Sequence, residues 1–274
     1  MMLPKVVLTN WIHPRVLEFL ECRCTVVANP DREPLPRQEL LRRAKDATAL
    51  LAFMTDRVDD AFLAQCPKLR IIACALKGAD NFDVDACTRR GVMVTIVPDL
   101  LTAPAAELAV GLMISLARRI VEGDRYVRGG GFRGWRPVLY GGTLDGSTVG
   151  LLGAGAVGKA IAQRLRGFGC TMLYHDEIPI APDEEQRLGL TRAPFTELVG
   201  RSDFLVVAVP LVDGTKHLID AHVLRKLKPG CHLVNISRGS VVDEQAVADA
   251  LARGRLGGYA ADVFEMEDWA RPDR

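Results

Sequence analysis

The stretch VGLLGAGAVGKAIAQRL, residues 149–165, narrows the possible folds more than any other part of the chain. An apolar strand-like run meets Gly153-x-Gly155-x-x-Gly158, and a helical pattern follows at once. Glycines at this spacing permit a tight turn and let the backbone approach a pyrophosphate closely, with the anion seated on the helix N-terminus. The motif alone is weak evidence, because a glycine-rich turn of some other α/β protein reads the same way. Here it has the strand before it, the helix after it and an acid at the end of the next strand. Asp176 lies 18 residues past Gly158, in CTMLYHDE. That spacing suits a carboxylate bonded to ribose hydroxyls. Asp176 and Glu177 together would repel a 2′-phosphate, so NAD is expected rather than NADP.

The rest of the chain fits the same architecture. In the first part, KVVLT, CTVVANP, ATALLAF, LRIIACAL and VMVTIVP read as strands and alternate with helical stretches such as HPRVLEFLE and RQELLRRAKD. Alternation of this kind predicts a parallel sheet flanked by helices. TAPAAELAVGLMISLARRIVEGDRYVR reads as one long helix, with Pro104 in its first turn and Leu108, Leu112, Leu116 and Ile120 on one face. A second alternating series begins near residue 148, and DFLVVAVP, CHLVNIS and GYAADVF are its later strands. AHVLRKLKPG reads as a helix, with His217 and His222 in that helical region, and no closing helix is in view after GYAADVF. The fold class is therefore α/β with two Rossmann-like or flavodoxin-like parallel-sheet domains. The expected boundaries are 1–99 for a substrate-binding domain and 100–274 for a dinucleotide-binding domain.

Composition removes several function classes. The chain has 274 residues, 35 basic and 34 acidic, for a net charge of +1. Phosphate-backbone binding needs a basic surplus, so no nucleic-acid partner is expected. Seven cysteines lack CxxC spacing, which argues against disulfides and zinc. Buried thiols in a reducing compartment are expected, and no metal. No apolar run has the length of a membrane span, and the N-terminus lacks a signal-peptide core. A cytoplasmic protein with no membrane contact is the expectation.

Two further stretches place cationic groups after strands. Arg238 follows CHLVNIS, at the carboxyl end of a parallel strand where ligands of open α/β sheets collect. A guanidinium offers a planar fork to a carboxylate or another oxyanion. Locally the stretch fits an exposed arginine paired with Asp243 and Glu244 equally well. Lys77 and Gly78 follow LRIIACA. They suit a close-approaching anion, although the local sequence by itself favours a solvated lysine.

These residues in this order resemble the D-2-hydroxyacid dehydrogenase family over essentially the whole chain. Within it, MTDRVDDAFLAQCP, CALKGADNFDVDACTRRGV, VPDLLTAPAAELAVGL and GGYAADVFEMEDWAR are similar to the phosphonate (phosphite) dehydrogenase branch. The broader family reads D-V-F-x-x-E-P at the last of these, whereas here Asp268 and Trp269 follow Glu267. The resemblance implies NAD-dependent oxidation of phosphite to phosphate, with hydride passing from phosphorus to the nicotinamide and water as the oxygen source. It also implies an interdomain active-site cleft and a homodimer. Arg238 and Lys77 would bind the small anionic substrate, and Glu267 would orient a catalytic histidine. Met54, Gly78, Trp135 and Tyr140 would line the substrate cleft. The cofactor would meet Leu101, Gly153, Gly155, Ala156, Val157, Gly158, Asp176, Ala208, Val209, Pro210, Ser237, Arg238 and Asp262. Ala105 stands where the pattern has threonine, which removes one hydroxyl contact.

In the family the acid–base histidine lies downstream of the DVFxxE segment, in T-P-H-x-G. The chain stops at Arg274 ahead of such a motif, so a C-terminally incomplete sequence with at most residual turnover is expected. None of the five histidines, His13, His175, His217, His222 and His232, has the expected position. Two alternatives stand beside phosphite oxidation: a D-2-hydroxyacid dehydrogenase of the glycerate/hydroxypyruvate type, and an NAD-sensing binding protein that has lost catalysis.

Overall fold

The computed structural model describes residues 3–270. They form two compact units, one running to Leu100 and the other comprising Leu101–Asp268.

The first unit is built on five parallel strands: β1 (Lys5–Leu8), β2 (Thr25–Val27), β3 (Ala49–Ala52), β4 (Ile71–Cys74) and β5 (Met93–Thr95). Their spatial order is β2-β1-β3-β4-β5. The chain leaves β1 toward one side for β2, then returns to β1's other side for β3. The β1/β3 boundary is therefore the switch point of this sheet. Val7, Leu50 and Ile72 lie in one core with Phe62 and Leu69. The helices Asp60–Gln65 and Val84–Arg89 start at Asp59 and Asp83, whose carboxylates accept the N–H of Phe62 and Ala86 at 2.9 and 2.8 Å. Each satisfies an amide that the first turn leaves without a helical partner.

The second unit carries six parallel strands: β6 (Thr148–Leu152), β7 (Thr171–His175), β8 (Leu190–Arg192), β9 (Phe204–Val207), β10 (His232–Asn235) and β11 (Gly258–Ala261). Their order is β11-β10-β9-β6-β7-β8. Every residue of β9 is buried, as expected for a strand covered on both faces. Leu151, Val206 and Val234 face one core together with Met113 and Ile161, from the helices Thr102–Ala117 and Ala156–Leu165. Leu152, Leu205 and Leu233 face the opposite core, with Leu198, Val223 and Val247. The period-two alternation of the strands thus feeds two helical layers.

Four elements differ from the sequence reading. The long helix after residue 101 is two helices, Thr102–Ala117 and Ile120–Arg128, broken at Arg119 with φ +52°. The Gly142 N–H bonds the Ala117 carbonyl at 2.7 Å, so a distant loop completes the helix end. The short polar helix Pro182–Leu188 and the three-residue β8 lacked an apolar period to betray them. A closing helix is present after β11, Glu265–Ala270. Its start is made by Glu267, whose Oε1 accepts the Phe264 N–H at 2.9 Å, half of a capping box. The side chains of Asp268 and Trp269 lie outside the described residues.

Candidate functional site

In the second unit, five of the residues singled out by sequence fall along one edge of the sheet. Asp262 follows β11, Arg238 lies just beyond β10, Ala208 follows β9, Gly153 follows β6 and Asp176 follows β7. All five strands are parallel, so this is their common carboxyl edge. With strands about 4.8 Å apart, the row from β11 to β7 spans roughly 19 Å. The chain diverges from β6 to its two neighbours, β7 and β9, which makes β6/β9 the switch point.

The glycines at that point each have a distinct reason. Gly153 has φ +100°, and an added Cβ would lie 2.7 Å from the carbonyl of Ala208. The turn therefore packs directly on the loop after β9, where the Ala208 N–H bonds the Leu152 carbonyl at 2.7 Å. A Cβ on Gly158 would lie 2.3 Å from the Gly153 oxygen, so the helix rests on the turn through a missing side chain. Gly155 faces open space. It precedes the helix Ala156–Leu165, whose start carries no side-chain cap. Uncapped N–H groups at Ala156 and Val157 suit a pyrophosphate. Asp176 Oδ2 accepts the Ala154 N–H at 2.7 Å, and its Oδ1 accepts the Ile178 N–H at 3.0 Å. The carboxylate is thereby fixed beside the turn, with lone pairs left for ribose hydroxyls. Val209 and Pro210 continue the loop after β9. Leu101 begins this unit just ahead of the helix Thr102–Ala117 and is 41% exposed.

Farther along the edge, Asn235 organises the Arg238 turn. This fully buried amide accepts the Ser237 N–H and hydroxyl at 3.1 and 2.8 Å, and it donates to the Arg238 carbonyl at 2.9 Å. The Arg238 guanidinium donates to the Ser237 carbonyl at 2.8 Å. The two carboxylates weighed as its local partners have other tasks as well. Asp243 caps the helix Glu244–Ala252 through the Ala246 N–H, and Glu244 accepts the Glu265 N–H at 2.9 Å. Asp262 titrates above the ordinary aspartate range. Desolvation is the main cause and the Glu267 charge adds to it, while the Arg238 charge opposes both. The charges of Arg238 and Glu267 thus both act on Asp262 at the β10/β11 end. Trp135 and Tyr140 belong to the loop after Ile120–Arg128, 88% and 79% exposed.

The first unit places its residues on the corresponding edge of its own sheet. Met54 follows β3, and Lys77 and Gly78 follow β4. Lys77 is exposed, and the Cys74 thiol donates to the Gly78 carbonyl at 3.4 Å. The polar framework here was not legible in the sequence. Thr9 donates its hydroxyl to Asp56, which also accepts the Phe53 N–H at 2.7 Å. Asn81 donates to the carbonyls of Phe53 and Asp56. Burial raises the Asp56 pKa, against the opposing pull of the Thr9 and Phe53 hydrogen bonds. Asp56 and Asn81 pin the loop that carries Met54.

The remaining candidates settle into structural places. His13 caps the helix Pro14–Glu21, accepting the Arg15 N–H at 3.3 Å. His175 bonds the Ala193 carbonyl beside Asp176, and His232 stacks on Phe204 with its pKa lowered by burial. His222 lies in the helix Ala221–Lys226, but His217 is not helical. It sits in a turn with φ +50°, its Nε2 bonded to Glu265. Burial pushes the thiols of Cys231 and Cys66 up to about 12 and about 11. Among the described residues no helix is long and apolar enough to cross a membrane.

Residues 110–274 match the family model described as D-isomer specific 2-hydroxyacid dehydrogenase, NAD binding domain. A glyoxylate reductase of Thermococcus gammatolerans is 38% identical over 273 residues, covering 98% of this chain and 81% of the relative. The relative is named a glyoxylate reductase, whereas the resemblance to the phosphite branch implied a phosphonate dehydrogenase. Among solved structures, a glyoxylate reductase from Paecilomyes thermophila superposes with TM-score 0.85 at 28% identity, covering 97% of this chain and 83% of that one. D-lactate dehydrogenase from Aquifex aeolicus, complexed with NAD and lactic acid, superposes with TM-score 0.83 at 25% identity, covering 95% and 77%. The glycine turn, the fixed carboxylate of Asp176 and the arginine turn all lie within or beside the matched region, and the chain belongs to the D-isomer specific 2-hydroxyacid dehydrogenase family, with an NAD-binding domain at residues 110–274.

Proposed function

We propose that the chain is an NAD-dependent oxidoreductase for a small 2-oxo or 2-hydroxy acid of glyoxylate, hydroxypyruvate or glycerate size. The observation that carries the reading is the row along the second sheet's edge, which sets a dinucleotide cradle beside the Arg238, Asp262 and Glu267 group. The glyoxylate reductase relatives support it. Gly153–Gly158 and Asp176 would hold the pyrophosphate and adenosine ribose, leaving the nicotinamide toward Ala208 and Asp262. The bound cofactor would supply or accept the hydride, and the balanced reaction is 2-oxo acid plus NADH plus a proton giving 2-hydroxy acid plus NAD, the proton being exchanged with solvent. Arg238 grips the substrate carboxylate and faces the oxygen on which negative charge develops, and a fixed guanidinium stabilises that charge without reorganising. Lys77 is proposed as a second cation for the anion, with Met54, Gly78, Trp135 and Tyr140 as substrate-lining residues. A homodimer is the proposed assembly.

Phosphite is the second reading. The observation that favours it is Asp268–Trp269 after Glu267, where the broad family pattern has proline. The balanced reaction consumes phosphite, NAD and water and yields phosphate, NADH and a proton. One assay series separates the readings: NADH consumption with glyoxylate and hydroxypyruvate, and NADH formation with glycerate and phosphite. Turnover on the organic acids alone upholds the first reading, and turnover on phosphite alone replaces it with the second. NADH binding with neither turnover nor binding of any of these anions supports a sensing role instead.

A further inference from the structure

The segment Asp262–Glu267 carries two carboxylates of the proposed site, and its seat is built from three contacts. Gly239 comes first. A Cβ there would lie 1.9 Å from the Phe264 carbonyl carbon and 2.1 Å from the Glu265 nitrogen, so the segment's backbone lies flat against the residue after Arg238. Second, Glu244 accepts the Glu265 N–H at 2.9 Å. Third, Glu265 turns its side chain inward, where the residue is only 6% exposed, and meets His217 Nε2. A carboxylate so far from water needs a donor. With Glu265 ionised, the ring nitrogen is that donor.

His217 is itself tied to the arginine turn. Its N–H donates to the Ser240 carbonyl at 2.8 Å. Two residues on, Ile219 pairs with Val242 in a parallel bridge. The backbone at His217 is left-handed, φ +50°, a conformation that costs a non-glycine residue free energy. The geometry points to His217 as a positioning residue. Through Glu265 it ties the Asp262–Glu267 segment to the turn that carries Arg238, so the guanidinium and the two carboxylates hold one spacing when the substrate anion arrives. This inference rests on the proposed role of Arg238, and it assigns His217 no contact with the substrate. A histidine kept only for general stability would also bond Glu265, but its loss would not act selectively on anion binding.

The test uses the 274-residue chain with His217→Leu, which removes the donor, and His217→Gln, which restores an Nε2 donor. His217 is 40% exposed, so neither change opens the core. Three readouts are taken: amide hydrogen exchange at Phe264 and Glu265, NADH affinity by fluorescence, and KM for glyoxylate or phosphite. In His217→Leu, exchange at both amides and KM for the anion rise about tenfold or more, while NADH affinity stays within about threefold. In His217→Gln all three return toward wild type. Wild-type exchange and KM in His217→Leu would overturn the inference, and so would a His217→Gln variant as impaired as His217→Leu. If the unmodified chain turns over none of these anions, the Kd of glyoxylate or phosphite for the NADH-bound chain, read by the same fluorescence, takes the place of KM: no anion binding at all means that the substrate reading has failed, and anion binding unchanged in His217→Leu overturns the positioning role.

Discussion

A methyl group at Gly239 tests whether the closing segment is seated on the arginine turn. Built on the backbone, the added carbon would lie 1.9 Å from the Phe264 carbonyl carbon, 2.1 Å from the Glu265 nitrogen and 2.3 Å from the Phe264 oxygen. All three are backbone atoms, so no side chain can rotate aside. Ordinary carbon contact begins near 3.5 Å, so the segment or the turn must shift by roughly 1.5 Å. Gly239 is not among the glycines with positive φ, so the cost of Gly239→Ala is the contact alone. Overpacking of this kind costs about 1–3 kcal/mol. At about 2–4 °C per kcal/mol for a domain of this size, Tm falls by roughly 2–12 °C in a fluorimetric melt. The same shift pulls Asp262 and Glu267 away from Arg238. If about 1.4 kcal/mol of it appears as lost anion binding, KM rises about tenfold. The glycine turn lies two strands away, about 10 Å, so NADH affinity holds. A variant with wild-type Tm and wild-type KM would refute the seating of Phe264 and Glu265 against Gly239.

Gly158→Ala places a Cβ 2.3 Å from the Gly153 oxygen and forces the helix off the turn, so NADH affinity in a fluorescence titration should fall by about tenfold or more. Asp176→Ala removes the charge and the acceptors that hold Ala154 and Ile178. Titration should show NADH weakened about 10- to 100-fold, with the preference for NADH over NADPH narrowed. Asp56 has a folded pKa raised above 3.8 by burial, so the folded state binds more protons than the unfolded one between those values. Its contribution to stability is therefore lost as pH rises through that window. Urea unfolding of wild type and Asp56→Asn across acidic pH should show a difference that shrinks wild-type stability with rising pH, and a constant difference would contradict the assignment.

The dinucleotide cradle was legible because its physics is local. A strand, three glycines, a helix and an acid at the next strand's end are contiguous enough to declare one another. The parallel-sheet architecture was legible for a similar reason, since apolar strand runs alternate with amphipathic helices over the whole chain. What the sequence hid depends on long-range partners. The helix break at Arg119 is completed by the Gly142 amide, which no periodicity within the helix encodes. The polar helix Pro182–Leu188 buries only Leu188, so it has no stripe to read. In the sequence, Asn235 is one more polar residue at a strand end. Its role appears only when its three hydrogen bonds to Ser237 and Arg238 are counted together.

The closing helix shows why the carboxylates were harder to place than the cation. From sequence, the family pattern singles out Glu267, and nothing local tells which of Glu265 and Glu267 is buried. The structure gives them opposite environments. Glu265 points inward to His217, 48 residues earlier, and is removed from solvent. Glu267 points outward, and its free-energy contribution begins with a backbone amide, since capping Phe264 starts the helix that presents it. One acid is buried against His217 and the other caps the helix from outside, while Gly239 lets the Phe264–Glu265 backbone lie close to the arginine turn. Arg238 follows an apolar strand, which put it at the sheet's carboxyl edge, whereas Asp262 and Glu267 were named only through the family resemblance. Their separation from Arg238 could not be read, because it depends on a glycine's missing side chain and a histidine's ring.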